Sequence, residues 1–347
     1  MTSTLATLPL KPLKTDRRAG VARALAARPE IEAFAAEVVA AGLRNVFLVG
    51  SGGGLITHAG LQYDLERHST RLPVFAVSAN EFIHRHPALL GAGSLVLLAS
   101  NTGTTPEVVA AARFAKDQGA TVASFTKLAE SPLAAASDRA WTYGDDSGIG
   151  DPKQFALALL GNALLRETGD LVPAEYAART ATLEALPAAL VEAVQETEDR
   201  NRAIAEALKD EPIIYILGGG PNWATAYCLA MCYLQEMQWK HAASFDAAEF
   251  LHGAMEVVVD DTAVIQFLGE EATRPIDERA KAFLEKYTSR GFYVDAKELT
   301  LSGIEAAQRP YVSHFALMAV MSRLAEHFEA ATGHDLHIRR YMFRVDY

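Results

Sequence analysis

NVFLVGSGGG at 45–54 is a short apolar run that ends in glycines, and a helical pattern follows it. Five apolar or nearly apolar residues without polar alternation suit a strand buried on both faces, the kind found inside parallel sheets. A glycine-rich turn between strand and helix lets backbone N–H groups come close to an anion at the helix N-terminus. The same plan returns at 213–220, IIYILGGG, with helical spacing from Asn222 onward. After the first turn, strands are expected at Pro73–Val77, Ser94–Ser100, Thr121–Phe125 and Ala140–Tyr143, with helical stretches between them. After the second, Ala263–Leu268 and Phe292–Val294 read as strands flanking the helical GEEATRPIDERAKAFLEKY. Strands that alternate with helices build a parallel sheet covered on both faces. The expectation is therefore an α/β chain of two doubly wound copies. Neither glycine turn has the G-x-G-x-x-G spacing with a downstream acid, so no dinucleotide site is implied.

The remaining organisation follows from punctuation. Residues 1–16 are interrupted by Pro and Lys and read as an N-terminal arm; 17–185 and 186–347 are the two expected domains. Arg17–Leu43 reads as two helices separated at Pro29. DDSGIGDPKQ at 145–154 reads as a loop, followed by a helix over 154–167 and a long helical region broken at Pro187 and ending near Leu208. With 347 residues, half of them apolar and 22% charged, the composition is that of a globular protein. A formal charge of −11 argues against nucleic acid, which needs clustered Lys and Arg. A small phosphorylated ligand is compatible with that charge, because a local cradle of N–H groups suffices. The start lacks the apolar core of a secretion signal and no stretch approaches the length of a membrane span, so a cytoplasmic protein is expected. Cys228 and Cys232, four apart on an expected helix, lack the Cys-x-x-Cys spacing and read as buried free thiols.

Chemistry concentrates in EMQWKHAASFDAAEFLHG at 236–253. Tyr227–Trp239 has helical spacing, with Leu229, Met231, Tyr233, Leu234 and Met237 forming an apolar body, and Glu236 lies near its end. Burial there would raise the Glu236 pKa toward the range of a working base. The alternative is a solvated Glu236 on a helix face and a core His252. His241 reads as core or as support for the site, and Lys240 as solvated. Earlier, Ser100, Thr102, Thr104 and Thr105 gather hydroxyls ahead of the helix that NTGTTPE opens, which suits phosphate. Ordinary N-capping by one of those hydroxyls is the alternative. The pairs His84/His86 and His334/His337 lack the ligand number and spacing of a metal site.

EMQW and AAEFLHG, with Glu236 and His252 sixteen residues apart, resemble the second sugar isomerase (SIS) domain of the phosphosugar isomerase superfamily. RRYMFRVDY at 339–347, RPIDERAKAFLEKY and VDAKEL narrow the resemblance to the deglycases of phosphorylated Amadori products. The likeness runs from about Arg44 to the end and implies two tandem SIS domains, each a parallel sheet sandwiched by helices. By that resemblance Glu236 moves a proton between C1 and C2 of a phosphorylated sugar and His252 opens the ring, with no metal or cofactor. It implies a substrate and phosphate site from Gly52, Gly53, Ser100, Thr102, Gly103 and Thr105. Glu81 of ANEFI is assigned to substrate contact, and Lys153 is placed in a loop near the sugar. In relatives the matching histidine serves a neighbouring subunit, which implies a homodimer with shared active sites. The implied reaction splits a 6-phosphofructosyl amino acid into glucose 6-phosphate and the free amino acid. A glucosamine-6-phosphate deaminase or other aldose–ketose isomerase, and a sugar-phosphate sensor without catalysis, remain open. A sensor has no use for a base at Glu236. The sequence departs from the family pattern at Gly54, where a serine is frequent, at Ala248, where a glycine is, and at Ala254, where a proline is.

Overall fold

Val46 to Val49 are all buried, and so is every residue of Ser94–Ser100. Those two unbroken runs are the middle strands of a parallel sheet, which is why they show no polar alternation. The computed structural model describes residues 8–16, 19–342 and 344–346. The chain divides into two units, and the division falls between Pro187 and Ala188.

The first unit runs from Lys14 to Pro187 and includes Gly303–Gln308. Its strands are β1 (Asn45–Gly50), β2 (Val74–Ser78), β3 (Ser94–Ser100), β4 (Thr121–Thr126) and β5 (Arg139–Thr142), in the order 2-1-3-4-5, all parallel. Its helices are α1 (Ala19–Ala26), α2 (Arg28–Ala40), α3 (Gly53–Ile56), α4 (Ala59–His68), α5 (Ala79–Arg85), α6 (Pro106–Asp117), α7 (Pro132–Ala136) and α8 (Pro152–Glu167), followed by the start of α9 (Pro173–Glu196). On one face Phe47, Val49, Val96 and Leu98 meet Phe82 of α5 and Val108, Ala112 and Ala115 of α6. Truncating a fully buried Phe such as Phe82 would cost about 3–5 kcal/mol.

The second unit holds Ala188–Ser302, the chain from Arg309 onward and the N-terminal residues up to Leu13. It contains α10 (Glu198–Leu208), β6 (Ile214–Gly218), α11 (Trp223–Tyr227), a π-helix (Cys228–Met237), β7 (Ala242–Asp246), α12 (Ala247–Phe250), β8 (Val264–Leu268), α13 (Arg274–Tyr287), β9 (Gly291–Asp295) and α14 (Arg309–Thr332). Its four parallel strands lie in the order 7-6-8-9. β1 sets Gly50 opposite Ser78 and Ala99, and β6 sets Gly218 opposite Asp246 and Phe267. Each of the three later residues follows its counterpart by the same 168 positions. The two units are thus one plan repeated without insertion across three strands.

Several expectations need correction. Helix α9 continues through Pro187 to Glu196, and the interruption comes at Thr197. A proline in a helix interior removes one N–H and strains a turn, and here buried Leu183, Leu186 and Leu190 lie to either side of it. The strand β7 has no counterpart among the expected elements: it is an edge strand, AASFD, with only Ala242 fully buried, and it takes its conformation from pairing with β6. The stretch expected as an α-helix to Trp239 is π-helical from Cys228, with the N–H of Gln238 reaching the carbonyl of Tyr233 at 2.8 Å. A wider turn changes which residues face inward, so Met231 is exposed while Ala230 and Cys232 are buried. Neither Cys228 nor Cys232 is in a disulfide, and of the two only Cys232 is buried.

Of the expected arm, residues 1–7 lie outside the described residues, as do 17, 18, Phe343 and Tyr347. The next stretch is docked on α14, where Leu8 donates to the Ala330 carbonyl at 3.2 Å and Lys11 pairs with Glu329 at 2.7 Å. No helix among the described residues is long and apolar enough to cross a membrane.

Candidate active site

In the second unit the chain leaves the π-helix through Trp239, whose backbone is left-handed at φ 54°. Glu236 sits in the last turn of that helix, half-buried, and accepts a hydrogen bond from Nε of Arg339 at 2.9 Å. Burial pushes the Glu236 carboxyl pKa up, and the charge and hydrogen bond of Arg339 pull against that without cancelling it. The segment after α14 is fastened to the same place. The His334 ring packs against Trp239 at a tilt of 59° with centroids 4.5 Å apart, the Arg340 guanidinium lies 4.3 Å from the Trp239 ring, and Gln238 donates to the His334 carbonyl at 2.5 Å.

His252 follows α12, a short helix opened by Asp246, whose carboxylate accepts from the N–H of Ala248 at 2.7 Å. The histidine is exposed, so the alternative of a core His252 falls, and the half-buried Glu236 is not a solvated face residue either. No hydrogen bond or ion pair among the described residues joins the two; the ion-pair partner of Glu236 is Arg339. His241 is exposed rather than core. Lys240, expected to be solvated, is half-buried and donates to the carbonyls of Lys209 and Glu211 at the end of α10.

In the first unit β3 delivers Ser100 to the N-terminus of α6. Ser100 Oγ lies 3.1 Å from Thr105 Oγ1 and accepts from the N–H of Gly103 at 3.2 Å. Thr105 occupies the N-cap position, yet its side chain caps nothing. Ordinary capping therefore does not account for that hydroxyl. Gly103 has φ 68°, and a Cβ there would stand 2.4 Å from Ser131 Oγ, so only glycine fits. Thr102 is exposed and bonded to Thr104 at 2.6 Å. At the neighbouring turn, a Cβ on Gly52 or Gly53 would meet open space. One on Gly54 would stand 2.3 Å from the Ala99 carbonyl oxygen. The departure at Gly54 thus has a steric cause: α3 lies too close to β3 for a serine. Nothing in the structure explains Ala248 or Ala254.

Glu81 is exposed on α5 and paired with Arg85. Lys153 lies in the first turn of α8 rather than in a loop, because Pro152 opens the helix and Asp151 caps it through the N–H of Lys153. Its ammonium is buried and sits 2.9 Å from Asp151. Asp151 and Tyr143 hold the Lys153 pKa above its usual value against the effect of burial.

The SIS domain family matches residues 42–143. Fructosamine deglycase FrlB of Bacillus subtilis is 32% identical over 320 residues, 92% of this chain and 97% of that protein. The fructoselysine 6-phosphate deglycase of Escherichia coli K12 is 28% identical, over 90% of this chain and 89% of the other. A solved Bacillus subtilis structure assigned to the phosphosugar isomerases superposes with a TM-score of 0.87 at 31% identity, covering 94% of this chain and all of that one.

The chain belongs to the SIS-domain phosphosugar isomerase superfamily. It is an enzyme of the phosphosugar deglycase and isomerase type. In this SIS-domain enzyme some polar groups beside the expected site escape sequence reasoning. Asn101 accepts from the Tyr143 hydroxyl and donates to Asp146 at 2.8 Å, and Lys127 closes the group on Asp146 at 2.6 Å. His58 is fully buried, and burial lowers its pKa to about 4 against the opposing pull of the Leu55 backbone, so it is neutral. Arg339 stands in the RRYM stretch that marks the family likeness, but nothing in the sequence ties it to Glu236.

Proposed function

We propose that this SIS-domain enzyme is a deglycase that splits a 6-phosphofructosyl amino acid into glucose 6-phosphate and the free amino acid. The observation that carries the reading is Glu236, a half-buried carboxylate whose pKa burial raises, in a chain whose full-length relatives include deglycases. A carboxylate of raised pKa can both take and return a proton. With the ring opened at O5 by His252, Glu236 removes a proton from C1 of the open-chain ketoamine, leaving an enaminol. The same proton, or one exchanged from solvent, is returned to C2 and gives the aldose imine. Water adds to C1, the C1–N bond breaks, and the amine leaves with a proton. Gly52, Gly53, Ser100, Thr102, Gly103 and Thr105 hold the phosphate by backbone donors and hydroxyls, with Glu81 and Lys153 bordering the sugar. The working enzyme is a cytoplasmic homodimer in which His252 of one chain serves Glu236 of the other.

The test is a panel of 6-phosphofructosyl amino acids with release of glucose 6-phosphate as readout, run in deuterated water. Glucose 6-phosphate carrying deuterium at C2 is the expected product. An enzyme that ignores every member of the panel but converts glucosamine 6-phosphate is a deaminase, and the reading falls. For the shared site, mixing exchanged E236Q and H252A chains should restore roughly a quarter of wild-type activity, since half the dimers are mixed and each has one intact site of two. Activity no higher than that of the single variants after proven exchange puts His252 in its own chain's site.

A further inference from the structure

An arginine bound to the group that moves protons needs a reason, because its charge makes a carboxylate a weaker base. The five N–H donors of Arg339 are unequally used. Nε serves Glu236 at 2.9 Å. Nη1 serves the carbonyls of Leu336 at 2.6 Å and Ile338 at 3.2 Å, which fixes the plane of the guanidinium. Nη2 donates to no group among the described residues, and the side chain remains 14% exposed. The two Nη2 N–H groups, one on the edge that Nε turns to Glu236 and the other on the edge shared with Nη1, are therefore held in position and available. Arginine offers such an edge chiefly to carboxylates and phosphates.

We infer that the Nη2 edge of Arg339 receives the carboxylate of the amino acid carried at C1 of the sugar, making Arg339 the residue that selects amino-acid conjugates over simple amine conjugates. The inference rests on the deglycase reading. In a ketoamine formed through an α-amino group, the carboxyl carbon is three bonds from C1, at most about 3.9 Å away by ordinary bond lengths. Glu236 must come within about 3 Å of the proton that it removes from C1. A guanidinium bonded to Glu236 is thus where that carboxylate lies. A phosphate there is disfavoured, since the sugar's phosphate is at the far end of the carbon chain from C1. Binding also acts on the base. A second carboxylate drawing on the same guanidinium weakens its hold on Glu236, so the effect of burial gains and Glu236 becomes more basic when the right substrate is in place. Arg340 over Trp239 and His334 on its ring anchor the segment that presents Arg339.

The experiment compares kcat/KM for 6-phosphofructosyl glycine and its carboxamide, 6-phosphofructosyl glycinamide, which differ only in the charge to be recognised. Wild-type enzyme is expected to favour the glycine conjugate by about 10- to 100-fold, the range for a charge-assisted hydrogen bond. R339Q should bring the two within about threefold of each other, R339K should keep part of the preference, and R340A, on the same segment, should keep most of it. The acid limb of the kcat profile for the glycine conjugate should also move in R339Q, which a purely structural residue would not cause. A wild-type enzyme that splits both conjugates equally well overturns the inference and leaves the deglycase reading intact. So does an R339Q enzyme that slows both alike. An enzyme that splits neither overturns the deglycase reading and the inference together. Should R339Q fail to fold, the wild-type comparison of acid with amide decides alone.

Discussion

The loop after β3 and the loop after β8 occupy the same place in the two repeated units and do opposite things with it. Thr105 and Thr273, 168 positions apart, both stand at the N-cap of the following helix, α6 in one unit and α13 in the other. In the first unit the residues between strand and helix are Ser100-Asn-Thr-Gly-Thr-Thr105, hydroxyls and a left-handed glycine. In the second they are Leu268-Gly-Glu-Glu-Ala-Thr273. There Glu271 is buried, accepting from Asn222 at 3.0 Å and from Ser313 at 2.7 Å. Asp277 is buried against the glycine turn, where a Cβ on Gly219 would stand 2.6 Å from its Oδ1. The position proposed for the substrate's phosphate in the first unit is thus filled in the second by the chain's own carboxylates. The repeat kept the backbone and, on the proposed function, divided the chemistry, with the anion cradle in one unit and the proton-transfer group in the other.

The largest difference between the units should appear at the helix that follows each glycine turn. The residue 168 positions before Glu236 is His68, at the end of an ordinary α-helix, tied to Arg179 at 3.2 Å and close to Asp64. Glu236→Gln keeps size but not basicity, and turnover should fall at least about a hundredfold while KM changes little. His68→Gln should leave kcat within a few-fold of wild type. Equal losses in the two variants, measured as kcat on one substrate, would mean that the division of labour is misassigned.

A smaller contrast is expected between the cradles themselves. On the proposed function Ser100→Ala and Thr105→Ala remove hydroxyls that hold a remote phosphate alike in ground and transition states, so KM should rise roughly three- to tenfold each with kcat nearly constant. Thr273→Ala removes the equivalent hydroxyl beside a filled cradle and should leave KM unchanged. A Thr273→Ala enzyme with raised KM, or cradle variants that lose only kcat, would relocate the phosphate.

Which of these features is legible in the sequence depends on how strongly local chemistry constrains a residue. β1 and β3 are buried on both faces, so their apolar runs announce them. β7 is an edge strand, AASFD, with a single large apolar residue, and pairing along β6 from Ile214 to Gly218 makes it a strand. The π-helix escapes a spacing test set at 3.6 residues per turn, because a wider turn leaves no separate mark in a short apolar stretch. Lys153 reads as a loop residue only if Asp151 followed by Pro152 is ignored, although that pair is an N-cap with proline at the first helical position and signals the start of α8. The hydroxyl cluster and the Glu236/His252 spacing stand out in the sequence because few residue types serve the roles proposed for them. The Arg339–Glu236 pair is not: three arginines stand in the last nine residues, and only the fold tells which one meets the carboxylate.

The smallest effect tests the filled cradle through proton linkage. Burial raises the Asp277 pKa from 3.8 to about 7, the nearby Glu271 charge acts in the same direction, and the N–H groups of Gly269 and Gly219 oppose both. Unfolded, the side chain releases its proton near pH 4; folded, it keeps it to about pH 7. Across that window the native state binds more protons than the unfolded state, so this group's contribution to stability is full below pH 4, declines as pH rises toward 7 and is level above. A tenfold difference in proton affinity between the two states corresponds to about 1.4 kcal/mol. Asp277→Asn has nothing to ionise and should lose that decline. Urea unfolding of both proteins at pH 5 and pH 8 reads the effect directly: wild type should weaken relative to the variant on going to pH 8. No such decline should accompany any change at Thr105 or Ser100, since the open cradle contains no carboxylate. If the two proteins keep the same difference in stability at both pH values, Asp277 is already ionised at pH 5. The second cradle would then hold a full negative charge of its own rather than a proton.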